Sequence, residues 1–395
     1  MIQNDCSHVA NHINRETFSR ELDNFPTIKS VNGSILPGTP PAPIDFAFVQ
    51  GAWRRINAMR SSEVDPVEPP TVSELEEALG QAVKKCDLFA ENWRNRIYRI
   101  ELANGDLVLG KQLVMGTEAM LRCQYEQLRV VEALDVPGLR TPNTFALFPA
   151  KRLLLIEFVA GKTIETLAWT SEDLVPACSF AGRTLARLEL ARAESIGPIP
   201  VEMIKRDLAT AQWRLSRREK EILGSALEKL AGADVRIGHV YYDYKPANLI
   251  YQNERFLFLI DPPDIPWRGA HLWDYACFRS SMRRQLWRIS LRRPHDRHRR
   301  AIVRRSLVAF EQAYLNTCTN GHPKPHLFAA AVRLFELQRN AVLMTMQKAK
   351  VSLARQRHPV ARDNRFGNLL ANRLTLPLLQ IERRWLFRQL ARELS

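Results

Sequence analysis

Apolar and polar positions alternate with a period of two along Arg96-Ile-Tyr-Arg-Ile-Glu-Leu102 and Leu107-Val-Leu-Gly-Lys-Gln-Leu113, which predicts two strands. Asn104-Gly105 between them is a two-residue hairpin signal, so the pair should be antiparallel. Helical spacing takes over from about Thr117 to Leu134. An extended segment begins near Val136-Pro137, and Leu153-Leu-Leu-Ile-Glu-Phe-Val159 reads as an apolar strand that ends at Gly161. Beyond it the pattern is mainly helical, interrupted by one compact stretch between Val240 and Ile260. Ahead of the first strand, Thr71-Val-Ser-Glu-Leu-Glu-Glu77 offers a capping hydroxyl followed by acids that suit a helix N-terminus, and globular structure should begin there. Residues 1 to about 70 contain the proline-rich stretch Leu36 to Pro43 and the acidic, proline-containing stretch Glu63 to Pro70. That composition favours extended chain, with a short helix expected over Phe46 to Met59.

At 395 residues and 46% hydrophobic content the chain can bury a large core. No apolar run approaches the roughly 18 to 20 residues needed to span a bilayer, and the start is polar, so a cytoplasmic protein is expected. Six scattered cysteines lack the close paired spacing of a zinc site or a disulfide framework and are read as reduced and structural. The formal charge of +15 changes the picture more, because such a field attracts phosphates, nucleic acids or anionic membranes.

The chemistry concentrates in Tyr241-Tyr-Asp243-Tyr-Lys245-Pro-Ala-Asn248, followed by a short hairpin and by Phe256-Leu-Phe-Leu-Ile-Asp261. A carboxylate, an amide five residues later and a second carboxylate at a strand end place three oxygen ligands around one point. Phosphoryl transfer needs a carboxylate for the attacking hydroxyl and oxygen ligands for Mg²⁺ on the nucleotide phosphates. Lys245 is placed to neutralise charge on the transferred group. In the second strand Leu107, Leu109, Lys111 and Leu113 share a face, so Lys111 points from an apolar surface and needs an anionic partner. In the next helix Cys123, Glu126, Val130 and Ala133 lie on one stripe, which leaves Glu126 in the same need; Glu118 and Glu132 are alternatives.

These residues resemble the catalytic-loop pattern His-x-Asp-x-Lys-Pro-x-Asn and the metal-binding Asp of the protein-kinase-like superfamily, in particular its aminoglycoside and small-molecule phosphotransferase branch. The resemblance covers roughly residues 85 to 280. It implies an α+β, two-lobed fold, with a small antiparallel-sheet N-lobe over residues 71–160 and a larger, mainly helical C-lobe over 161–395 that carries the basic C-terminal helices. It implies ATP and Mg²⁺, Asp243 as base with Lys245 beside it, Asn248 and Asp261 as metal ligands, a Lys111 to Glu126 ion pair, and an adenine-facing hinge around Glu157 to Val159. Three departures stand out. Residues 86 to 100 contain no glycine where a glycine-rich loop would lie, Tyr241 replaces the usual histidine, and Pro262-Pro263-Asp264 replaces Phe-Gly. Asp264 is either a further metal ligand or a turn residue; Asp274 either braces the catalytic loop or caps the next helix.

The short interval from Asp261 to Asp274 lacks a long activation segment, which favours a small-molecule or glycan kinase over two alternatives, a Ser/Thr protein kinase and a non-catalytic nucleotide-binding scaffold. Between Arg283 and Arg305 there are ten arginines and one acid, with Met282, Leu286, Trp287, Ile289 and Leu291 interleaved. The segment reads either as an amphipathic helix on an anionic membrane surface, at the inner face of the membrane and presenting a phosphorylated glycan or glycolipid, or as a solvated helix face packed on the lower lobe. No nucleic-acid motif accompanies the charge, and no nucleic-acid partner is expected.

Overall fold

The computed structural model describes residues 67–355 and 365–395 apart from 92–93, 212, 253–254, 265–266 and 319, and excludes the side chains of 349–355 and 365–374. The expected N-terminal extension up to residue 66, with its helix over Phe46 to Met59, lies outside the described residues.

The first described element is helix α1 (Val72–Leu79), capped by Thr71, whose hydroxyl accepts from Glu74 N while the Glu74 carboxylate accepts from Thr71 N. Strands β1 (Val83–Glu91), β2 (Asn95–Leu102), β3 (Leu107–Leu113), β5 (Thr144–Phe148) and β6 (Leu153–Glu157) form an antiparallel sheet in the order β1-β2-β3-β6-β5. The period of two distributes its side chains to opposite sides. Tyr98, Ile100, Leu102, Val108, Leu153 and Leu155 pack with Leu75 of α1, while Leu113, Leu154 and Ile156 pack with Met120, Leu121 and Leu128 of α2 (Glu118–Ala133). Strand β6 is buried on both faces, hence its unbroken apolar run. In the β2–β3 turn only Gly105 takes a positive φ, +90°. The turn is therefore a longer one closed by Leu102 N–H to Asp106 O, not the two-residue type expected, which requires positive φ at both central positions.

The second lobe is largely helical, as expected. Helix α4 (Leu174–Arg192) packs closely on α8 (Arg297–Thr317): a Cβ built on Gly182 would lie 2.3 Å from Phe310 O. Two small sheets were not foreseen in full. One joins β4 (Leu139–Arg140), β11 (Phe256–Leu259), β10 (Leu249–Gln252) and β7 (Lys162–Thr163); the other joins β12 (Trp267–Ala270), β9 (Asp234–Val240) and β8 (Ala193–Pro198). Residues Val235 to Gly238 of β9 are all buried, Arg236 included, so that strand carries no alternation to read. The five described cysteines are unbonded, and no described helix is long and apolar enough to cross a membrane.

The basic segment differs from the surface helix that was one of its two readings. It spans α7 (Leu272–Arg292) and α8, and in α7 Met282 and Ile289 are fully buried. Arg283 is buried against Glu336 and Glu382, and Arg284 also reaches Glu382, linking α7 to α9 (Pro325–Arg355) and α10 (Arg365–Leu394). Of the apolar residues that would anchor a membrane helix, Met282 and Ile289 are spent on the core, Leu286 and Trp287 are half-buried, and Leu291 alone is exposed.

Candidate active site

Strand β9 delivers the chain to Tyr241, and a 3-10 turn over Pro246–Asn248 leads into the β10–β11 hairpin that returns at Asp261. Asn248 closes the loop through its main chain, N–H to Lys245 O at 2.9 Å and O from Ile260 N–H at 3.0 Å. Tyr242, just before the catalytic-loop aspartate, holds φ at +71°, a conformation costly for a bulky residue. Its surroundings explain how this persists. The ring is stacked between Trp267 at 4.5 Å and Trp273 at 5.3 Å, and Trp273 Nε1 donates to Tyr242 O at 2.8 Å. Asp274 Oδ2 accepts from Tyr241 N at 2.6 Å, so the residue braces the loop. Burial pushes the Asp274 carboxyl up to about 7, against the backbone donors and Arg192 that favour its charge. Tyr241 is buried, and its hydroxyl has no partner among the described residues; it fills the usual histidine's place without replacing its hydrogen bonds.

Around Asp243 three groups converge. Lys245 Nζ donates to Oδ2, Asn248 Nδ2 lies 3.1 Å from both Oδ2 and the Asp243 main-chain oxygen, and Arg339 Nη2 stands 3.9 Å from Oδ1. Asn248 Nδ2 also reaches Asp261 O at 3.5 Å. With its nitrogen committed to protein oxygens, Asn248 offers its amide oxygen to a cation. Asp261 accepts from Lys111 across the lobes. Burial alone would raise its pKa, but Lys111 and Lys245 outweigh burial and hold it below the usual carboxylate range. Burial would likewise lower Lys245, yet Asp243 and Asp261 raise it, so the ammonium stays charged.

Several expected partners are placed differently. Lys111 pairs with Asp261 rather than Glu126, which is exposed: the inward face of α2 is Met120, Leu121, Gln124, Gln127, Leu128 and Val131, one position away from the stripe that carries Glu126. Glu157 N–H donates to Asn143 O and its carboxylate accepts from Asn143, so the amide is spent; at the hinge the Val159 backbone groups have no partner among the described residues. Asp264 is buried and paired with Arg94, from the glycine-free loop, which ties that loop to the segment after Asp261. Arg339 was missed, because an arginine inside a long helix carries no local signal. An open cavity of about 510 Å³ bordered by Leu79, Gly105, Phe145 and Phe158 takes in Glu157 of the hinge but none of Lys111, Asp243, Lys245, Asn248, Asp261 or Arg339.

Residues 85–266 match the phosphotransferase enzyme family. The resemblance read from the catalytic loop is thereby borne out over those residues. A structure assigned as an aminoglycoside phosphotransferase from Ralstonia eutropha JMP134 is 14% identical with a TM-score of 0.52, covering 81% of this chain and 97% of its own, and it shares the fold. One assigned as a fructosamine-3-kinase from Thermobifida fusca YX-ER1 is 20% identical with a TM-score of 0.49, over 82% of this chain and 98% of its own. A macrolide 2'-phosphotransferase from Brachybacterium faecium is 13% identical with a TM-score of 0.46, over 73% and 95%. No curated protein matches the chain.

The Asn248 amide oxygen and the Asp261 carboxylate fit a hard divalent cation, which on a nucleotide takes one or two protein oxygens and the rest from phosphates and water.

Proposed function

We propose that the protein transfers the γ-phosphoryl group of Mg-ATP to a hydroxyl of a small molecule or glycan. The observation that carries this is the convergence of Asp243, Lys245, Asn248 and Asp261 with Lys111 from the opposite lobe. Asp243 takes up the acceptor hydroxyl and its proton, the acceptor oxygen bonds to the γ-phosphorus, and the bond to the β–γ bridging oxygen breaks to release ADP. Lys245, held charged beside Asp243, offsets the negative charge on the group in flight. Asn248 and Asp261 would hold Mg²⁺, which neutralises the phosphates when bound. Lys111, now on Asp261, is placed to meet the phosphates when nucleotide enters.

A glycan presented at an anionic membrane surface is the narrower form of this reading. Its support is confined to the exposed Arg292, Arg293, Arg297, Arg304 and Arg305, since Arg283 and Arg284 are engaged internally. Transfer of labelled phosphate from ATP to extracts of metabolites, lipids and proteins tests the function directly. Incorporation into small molecules or glycans that vanishes in Asp243→Asn is expected; incorporation that survives in the variant overturns the assignment, and incorporation into protein alone makes it a protein kinase.

A further inference from the structure

We propose that Arg339 forms an oxyanion subsite on the acceptor side of Asp243, so that the acceptor carries a phosphate or carboxylate close to the hydroxyl that is phosphorylated. This rests on the function proposed above and narrows its substrate class.

Arg339 lies on α9, outside the family-matched span, and its side chain is 7% exposed. Its Nε is buried without a hydrogen-bond partner among the described residues, and its one ion-pair contact is the 3.9 Å approach of Nη2 to Asp243 Oδ1, too long for a hydrogen bond. A guanidinium has five donors in a planar fork. A buried one with unspent donors is costly unless an anion completes it. The contrast with its neighbours is sharp. Arg283 and Arg333, buried to a similar degree, also leave Nε without a partner, but each donates from Nη1 to Glu336, whereas no hydrogen bond of Arg339 is found among the described residues.

The two oxygens of Asp243 also divide the site. Oδ2 faces Lys245 and Asn248, and through them Asp261 and Lys111, which is the metal and nucleotide side. Oδ1 faces Arg339 and the C-lobe helices. An acceptor that brings its hydroxyl to Asp243 from that side passes the guanidinium. An amino-bearing acceptor would meet a cation there, whereas a phosphate or carboxylate would meet a fork of matching geometry.

The test uses the full chain and inorganic phosphate as probe. Calorimetric titration is done on protein filled with Mg-AMP-PNP, whose γ-phosphate occupies the transfer position, and repeated without nucleotide. Nucleotide binding is thus a separate readout: its absence would sink the proposed function, while the nucleotide-free titration still decides the subsite. Wild type should bind phosphate. Arg339→Gln should bind it at least tenfold more weakly with Mg-AMP-PNP affinity unchanged, and Asp243→Asn, which leaves the guanidinium in place and removes the carboxylate beside it, should bind it more tightly. This last variant keeps the test open if Arg339→Gln does not fold. No phosphate binding by wild type, equal binding by Arg339→Gln, or no gain in Asp243→Asn overturns the subsite. With ATP and the matched acceptors glucose, glucosamine, glucose 6-phosphate and glucuronate, the anionic members should be preferred at least tenfold in kcat/KM; preference for glucosamine or glucose overturns the inference.

Discussion

Two regions of the second lobe gather buried arginine and carboxylate charge, and they do so to different ends. In the hub formed by α7, α9 and α10, the Glu336 and Glu382 side chains are 0% and 1% exposed, and each is shared by two or more guanidinia from Arg279, Arg283, Arg284 and Arg333. In the catalytic cleft, Asp243 and Asp261 are 28% and 41% exposed and are held by Lys245 and Lys111 from the side. The hub has withdrawn its charges from water and from exchange. The cleft leaves its carboxylates reachable, as the proposed exchange of internal partners for metal, nucleotide and acceptor requires. Similar residue types thus serve cohesion in one place and chemistry in the other, and the difference is solvent access to the anion.

Breaking the cleft should cost activity and spare the fold. Asp243→Asn is expected to lower kcat by about 10²- to 10⁴-fold with Mg-ATP affinity and melting temperature nearly unchanged, as measured by steady-state kinetics, titration and thermal unfolding. Breaking the hub should do the reverse. Glu336→Ala leaves three guanidinia without their shared anion and is expected to cost about 3 to 5 kcal/mol in denaturant unfolding.

Acid sharpens the contrast. Burial alone would raise the Glu336 carboxyl, but Arg283, Arg279 and Arg333 override it and hold it at about 2, below its ordinary 4.5. A carboxyl depressed in the folded state contributes stability above its ordinary pKa that is lost as pH falls towards the folded value. Stability should therefore decline between about pH 4.5 and 2, and Glu336→Gln should flatten that part of the profile. Asp274→Ala sits between the two regions, since it removes a structural contact that acts on the catalytic loop. It should cost about 1 to 3 kcal/mol by stranding the Tyr241 N–H, and lower kcat while leaving Mg-ATP affinity in place. A loss of stability with normal kcat would show that the bond from Asp274 to the loop serves the fold alone.

Much of the first lobe was legible: β2 and β3 alternate as a hairpin, β6 is an unbroken apolar run buried on both faces, and these strands and helix α2 lie within a residue or two of the segments read from the sequence. Strand β1 was not, because most of its residues are exposed on an edge and show no alternation. The catalytic loop was legible for a different reason. Asp243, Lys245, Asn248 and Asp261 are joined by one short loop and one hairpin, so local chain geometry alone brings them together.

The partners of those residues depend on distance in the chain. Whether Lys111 meets Glu126 or Asp261 turns on a rotation of α2 by one position and on how the lobes close, neither of which local pattern encodes. The same holds for the basic segment, whose arginines look alike in sequence until α9 and α10 supply Glu336 and Glu382 to some and none to others. Arg339 reaches Asp243 from nearly a hundred residues away. The sequence by itself determined the alternating or strongly apolar elements and the loop from Tyr241 to Asp261, because backbone periodicity and short-loop geometry act over a few residues. Only the tertiary structure decided which charges are paired and which stand open, because burial and electrostatic pairing are properties of the assembled core.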